Sequence, residues 1–324
     1  MSQATTYRCL RHDHFDPDLL AGVISSGLLE HYLFEGGPCH LSHEHWRRNG
    51  VHLDLGRYNF GVWIRGQFRP EKMCFVFMRK QGHPAWVNGV EVGLGDLQVF
   101  PENCELAWRL YPDVEWAAIQ ISREDLQKAA LTLENREVPL PARGMLVCHP
   151  GPEVMADLGQ VFDLCGEKFH HEDRLGQYCH DLLLKVLVQA FGSVSMVDAA
   201  AESQRALLML KTIKLAELHL LTHISTGYSS EEFARAVGMS ERSLELCFTK
   251  VFGMSPRKWR ESMCLNLARR RLAGNLRHPG MVAEIAAECG FPHAGRFSTI
   301  FRGLFGELPT KVTGVGEAES LWIT

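Results

Sequence analysis

The chain of 324 residues is 46% hydrophobic and 22% charged with a formal net charge of −4. That balance excludes a disordered or collagen-like polypeptide, and the length favours two domains. Ten cysteines form no CxxC pair and no disulfide framework, which fits reduced thiols and a cytoplasmic location.

The modest net charge conceals an asymmetry. Residues 203–312 hold 16 Lys and Arg, 9 Glu and no Asp, whereas the remainder holds 18 basic and 29 acidic residues. A basic C-terminal third joined to an acidic remainder points to a nucleic-acid-binding module attached to something else. The opening MSQATTYRCLRHDHFD lacks an apolar core segment, so no signal peptide is expected. No apolar run approaches the ~18–20 residues that cross a bilayer, so no membrane partner is expected.

Residues 37–45 read GPCHLSHEH. From Gly37 the spacing is G-x5-H-x-H, the opening of the metal-binding motif of cupin enzymes. Residues 28–122 carry short apolar and aromatic runs punctuated by turn residues, which predicts strands in a small barrel or sandwich. Asn88–Gly89 predicts a hairpin turn. The second cupin stretch, G-x5-P-x-G-x2-H-x3-N, is half present. Gly95 and Pro101 fit, but Asn103, Leu106 and Leu110 stand at its glycine, histidine and asparagine positions. In the matching register the first stretch places Phe75 at its glutamate and no histidine near residues 68–71. His40, His43 and His45 are therefore read as polar residues on the outer face of an early strand, with no metal and no cofactor. The rival reading is a cupin-type metalloenzyme with a helical appendage.

Ser122 reads as an N-cap that opens a helix. A Pro/Gly-rich stretch follows, then two amphipathic helices over residues 153–191. Their LLLKVLV segment is either a partner face or core. Residues 192–204 are small and polar and read as a linker.

Beyond the linker everything reads helical, and the segment repeats itself. Ala234 and Gly238 match Ala286 and Gly290 at an offset of 52. Leu244, Phe248, Phe252, Gly253, Pro256 and Lys258 match Phe297, Phe301, Phe305, Gly306, Pro309 and Lys311 at an offset of 53. Each copy has the form of a helix-turn-helix: a small residue for close approach, a glycine to end the first helix, and an apolar anchor in the second. Ser240 is a natural N-cap for the first recognition helix, and Pro292 sits where the second begins. The alternative is an αα-hairpin with no DNA role. A helix over residues 255–276 would span ~33 Å, close to the ~34 Å between successive major-groove faces.

The stretch RRRLAGNLRHPGMVAEIAAECGFPHAGRFSTIFRGLFGELP resembles the AraC/XylS family of bacterial transcription regulators. The resemblance rests on Gly290–Phe291, Phe297, Phe301, Gly306 and Pro309 and covers about residues 203–312. It implies an α+β multidomain protein: an N-terminal cupin-like β-barrel with dimerisation helices (1–191), a linker (192–204), an all-α double helix-turn-helix of seven helices (205–312) and a tail (313–324). It also implies a homodimer on promoter half-sites of double-stranded DNA, activation by contact with RNA polymerase, and no catalysis. A small-molecule effector of unknown identity would bind the N-terminal domain, or a protein partner would control the regulator instead.

Base contacts are expected from Arg242, Ser243, Glu245, Leu246 and Thr249 in the first recognition helix, and from His293, Ala294, Arg296, Ser298 and Thr299 in the second. Ser240, Lys250, Arg257, Lys258 and Arg302 are expected to meet phosphates. The effector pocket is expected among Trp63, Phe75, Phe77, Trp86, Phe100, Trp108 and Trp116; the alternative for each is simple core.

Overall fold

The computed structural model describes residues 5–24, 27–165, 173–191, 199–275 and 278–312, with the backbone alone at 173 and 199–206. The predicted tail (313–324) and most of the predicted linker lie outside these residues.

The N-terminal region forms two sheets, not one closed barrel. The first has the order β1-β3-β4-β11-β6-β9-β12 and the second β2-β5-β10-β7-β8. The strands are β1 (Thr6–His12), β2 (Gly27–Leu33), β3 (Leu41–Arg48), β4 (Val51–Tyr58), β5 (Val62–Phe68), β6 (Met73–Lys80), β7 (Ala85–Val87), β8 (Val90–Val92), β9 (Leu97–Phe100), β10 (Glu105–Leu110), β11 (Val114–Ile121) and β12 (Leu146–Cys148). The hairpin turn falls where expected: Asn88 and Gly89 both take positive φ, 49° and 88°, as a two-residue hairpin of this type demands. β1 and β12 lie outside the segment read as β-rich and extend the first sheet at both edges.

The two sheets face one another across a shared core that includes Leu10, Val62, Ile64, Val76, Trp108 and Trp116. Their outer faces are also buried. Short α1 (Pro17–Ala21) closes one edge. The first sheet packs Phe75, Phe77, Leu97 and Ile119 against α2 (Arg123–Glu134), α3 (Pro152–Cys165) and α4 (Asp173–Ala190). Ser122 caps α2 by accepting from the Asp125 amide. Leu183, Val186, Leu187 and Val188 of the LLLKVLV run are buried in this same layer, so that run is core here.

The helical region consists of α5 (Ala199–Thr222), α6 (Ser230–Val237), α7 (Glu241–Phe252), α8 (Pro256–Gly274), α9 (Met281–Glu288) and α10 (Ala294–Phe305), closed by a 3-10 turn at Pro309–Lys311. The described residues of this region therefore hold six α-helices and a 3-10 turn where seven helices were expected. α5 begins at Ala199, so residues 199–204 are helical and not linker. At 19 residues α8 spans about 28 Å, shorter than the sequence suggested because it stops at Gly274.

The first helix-turn-helix unit packs on the outer face of the second sheet, whereas α8–α10 join the inter-sheet core at its edge through Leu265, Ile285 and Phe297, with Phe15 stacked on Phe305. Trp63 and Trp86 of that sheet share a core with Phe233, Phe248, Phe252 and Trp259. No helix among the described residues is long and apolar enough to cross a membrane.

Candidate nucleic-acid interface and sensor interior

The repeat seen in the sequence is a structural repeat. α7 and α10 each contain 12 residues, and both their ends are offset by 53. In each unit the first helix ends on a left-handed glycine, Gly238 at φ 73° and Gly290 at φ 84°. The same pair of closing hydrogen bonds recurs: Met239 N–H to Ala234 O and Gly238 N–H to Arg235 O in one, Phe291 N–H to Ala286 O and Gly290 N–H to Ala287 O in the other. The extra residue lies in the second turn, where Pro292 precedes the N-cap His293. Gly290 has a further constraint, because an added Cβ would overlap the Ile224 carbonyl. Small Ala234 and Ala286 are buried in their cores as expected.

Both recognition helices bury one face and expose the other. Leu244, Phe248, Val251 and Phe252 anchor α7, and Phe297, Phe301 and Leu304 anchor α10. Arg242, Ser243, Glu245, Leu246 and Thr249 are all exposed on α7. On α10, His293, Arg296 and Thr299 are exposed, and Ala294 and Ser298 are half-buried. The β-sheets cover none of these fully. Ser240 uses its hydroxyl to cap α7, accepting from the Ser243 amide. Arg257 and Arg302 are exposed and make no ion pair among the described residues, whereas Lys258 pairs with Glu261 at 2.7 Å. Lys250 lies 5.0 Å above the Trp86 ring, so the second sheet already engages one of the expected phosphate contacts.

Several of the basic residues are engaged by other groups of the chain. Arg269 pairs with Glu307 at 3.2 Å, Arg271 with Glu288 at 2.8 Å, and Lys214 with Glu105. Arg260 donates to the carbonyls of Ile224 and Thr226 at 3.0 and 2.7 Å. Arg270 donates to Tyr32 Oη at 2.9 Å and to the His31 carbonyl at 3.1 Å. Charge counting alone cannot separate such groups from phosphate contacts.

The sequence profile of a family described as "Helix-turn-helix domain" matches residues 233–314. XylDLEGF operon transcriptional activator 1 of Pseudomonas putida is 35% identical over 88 residues, which is 27% of this chain and 27% of that protein. The probable thc operon regulatory protein of Rhodococcus erythropolis is 31% identical over 99 residues, 31% of this chain and 30% of that one. The helix-turn-helix region belongs to the AraC/XylS family. The chain thus matches about a quarter to a third of the length of these relatives, and both are named as transcription regulators, not enzymes. An AraC-type regulator from Chromobacterium violaceum gives a structural match at 28% identity, covering 31% of this chain and 87% of that one with a TM-score of 0.29.

The N-terminal partner of this AraC/XylS domain has an unusual interior. The aromatic residues expected to line a pocket divide among three layers. Trp108, Trp116 and Phe100 point between the sheets. Phe75 and Phe77 point the other way, against Phe191 and Phe162 of the helical layer. Trp63 and Trp86 face the recognition region: Trp63 Nε1 donates to Glu217 of α5 at 3.1 Å. Thus four of the seven expected liners lie outside the interior, because side chains alternate along a strand and both faces of each sheet are covered.

The histidine cluster also departs from expectation. His43 and His45 lie on the inner face of β3, not the outer. His43 is fully buried 5.1 Å from the Trp116 ring. His45 Nδ1 lies 2.6 Å from Asp54 Oδ1, and Gln120 donates to the other oxygen of that buried carboxylate. His40 faces out and meets Asp13 at 2.8 Å. No group of three or more His, Cys, Asp or Glu converges as a metal site among the described residues. His31 of β2 points into the same interior. Burial depresses its pKa to about 3 and that of His43 to about 4, so both imidazoles are neutral. Tyr58 Oη, both amide atoms of Gln98, and the indole N–H groups of Trp108 and Trp116 are buried and have no hydrogen-bond partner among the described residues. Of these, the sequence had singled out only the two tryptophans. No motif marks the tyrosine or the glutamine.

Proposed function

We propose that the protein is a cytoplasmic, DNA-binding transcription activator of AraC/XylS type. Residues 205–312 bind one half-site through α7 and α10, and residues 1–191 bind an uncharged small-molecule effector and join two copies into a dimer that contacts RNA polymerase. The observation that carries the reading is the pair of matched recognition helices, each anchored by aromatic residues, with their polar faces exposed. α8 joins the two units and sets their separation.

The effector reading is supported by the sandwich interior. A buried hydrogen-bonding group without a partner costs about 1–3 kcal/mol. Several such groups beside two neutral histidines are what a hydrogen-bonding ligand of low charge would satisfy. β2 connects that interior to the DNA-binding region. His31 projects inward, while Glu30 and Tyr32 project outward to Arg65 and Arg270. Ligand-driven movement of β2 is therefore passed to α8, shifting the populations of DNA-competent arrangements.

The test is enrichment of duplexes from a random-sequence pool by the purified full chain, followed by affinity measurement at several salt concentrations. A preferred sequence whose log affinity falls steeply with log salt is expected. Retention of no duplex above background refutes the reading.

A further inference from the structure

We propose that each recognition helix reads one thymine through its C5-methyl group, by the Leu246 side chain in α7 and the Thr299 methyl in α10. This rests on the DNA-binding reading and adds the class of base pair that each helix selects.

Leu246 is 63% exposed, on a helix whose other large apolar residues are buried. With Arg242, Glu245 and Thr249 it forms an i, i+3, i+4, i+7 stripe, so these four share one face. Applying the repeat offset of 53 gives the corresponding stripe of α10: Gly295, Ser298, Thr299 and Arg302. Arg242 is replaced by glycine, Glu245 by serine and Thr249 by arginine. Leu246 alone is matched by a residue that presents carbon.

The Thr299 hydroxyl is turned inward. Its Oγ1 donates to the Gly295 carbonyl of its own helix at 3.1 Å. The hydroxyl is thereby occupied, and the exposed threonine offers its methyl group to a partner. Gly295, one turn earlier, has nothing within 4 Å of where a Cβ would stand, so nothing beside it bars close approach of that turn. The same register position in both units is therefore apolar and exposed, although the flanking polar residues differ.

The edges of base pairs in the major groove are donors and acceptors with one apolar group, the thymine methyl. An aliphatic side chain held against any other edge desolvates polar atoms without replacing their hydrogen bonds. Two such positions at equivalent places in helices joined by α8 call for two thymines about one helical turn, roughly 10 base pairs, apart.

On a duplex enriched by the full chain, each thymine is replaced singly by deoxyuridine, which removes the methyl and leaves the pairing edge. We expect about a fourfold loss of affinity at two positions about a turn apart, the equivalent of roughly 0.8 kcal/mol for one buried methyl-sized group. In Leu246→Ala the loss at one of these positions disappears. In Thr299→Ser the loss at the other disappears, while Thr299→Val keeps it. An enriched duplex whose affinity is indifferent to every deoxyuridine overturns this inference and leaves the DNA-binding reading standing. Failure to enrich any duplex overturns both.

Discussion

Asn266 on α8 offers the sharpest test of how the β-sheets hold the DNA-binding region. β2 is an edge strand of its sheet, and an edge leaves every second residue's backbone groups unpaired. The fully buried Leu33 is one of these residues. Asn266 serves both of its groups: Oδ1 accepts from the Leu33 amide at 2.8 Å and Nδ2 donates to the Leu33 carbonyl at 2.8 Å. The same Nδ2 donates to Ser262 O at 2.7 Å. Substitution Asn266→Ala strands a buried N–H and a buried C=O, each costing about 1–3 kcal/mol. The higher helix propensity of alanine returns about 0.6 kcal/mol. The net expectation is a loss of about 2–5 kcal/mol in the docking of β2 on α8. Amide hydrogen exchange at Leu33 should accelerate by roughly thirtyfold or more, with a lower thermal midpoint. Because α8 joins the two recognition helices, DNA affinity should change in the same variant. If Leu33 protection is unaltered and stability moves by less than about 0.5 kcal/mol, Asn266 does not hold this edge, and the proposed route from β2 to α8 fails.

Other expectations concern separate parts of the molecule. A Cβ at Gly36 would overlap the Gly303 carbonyl of α10, so Gly36→Ala should loosen the loop after β2 from the second recognition unit and raise protease sensitivity there. Stability should fall as pH drops from about 6.5 toward 4. The unfolded chain takes up protons near the ordinary histidine pKa, while buried His31 and His43 stay neutral to about 3 and about 4. The slope approaches 1.4 kcal/mol per pH unit for each such group, and His31→Gln should flatten it in pH-dependent thermal melts. Arg296→Ala should weaken binding and relax base preference at one position. Arg257→Ala should weaken binding to all sequences alike and lower the salt slope by about one.

The sequence by itself determined the helix-turn-helix units. Their signals are local: a glycine that must take positive φ, an aromatic anchor at fixed helical spacing, and a serine that caps. Each is a short-range requirement that the chain carries within a few residues, and the repeat doubled it. The exposed recognition faces follow from the 3.6-residue period once Leu244, Phe248, Phe297 and Phe301 are placed inside.

The interior of the β-rich region was not legible in the same way. Alternation reveals a strand's inward face only when the other face meets water. Here helices cover the first sheet, and the DNA-binding region covers much of the second. Phe75 and Val76 are both apolar and both buried, yet they enter different cores. The histidine-rich stretch advertised metal chemistry, but its partners, Asp54, Gln120 and Trp116, come from β4 and β11. Cross-strand pairing set by distant register brings them to β3, and nothing within the stretch encodes it. The docking of β2 on α8 is likewise tertiary. It joins Leu33 to Asn266, 233 positions away in the chain, through hydrogen bonds that neither segment can form alone.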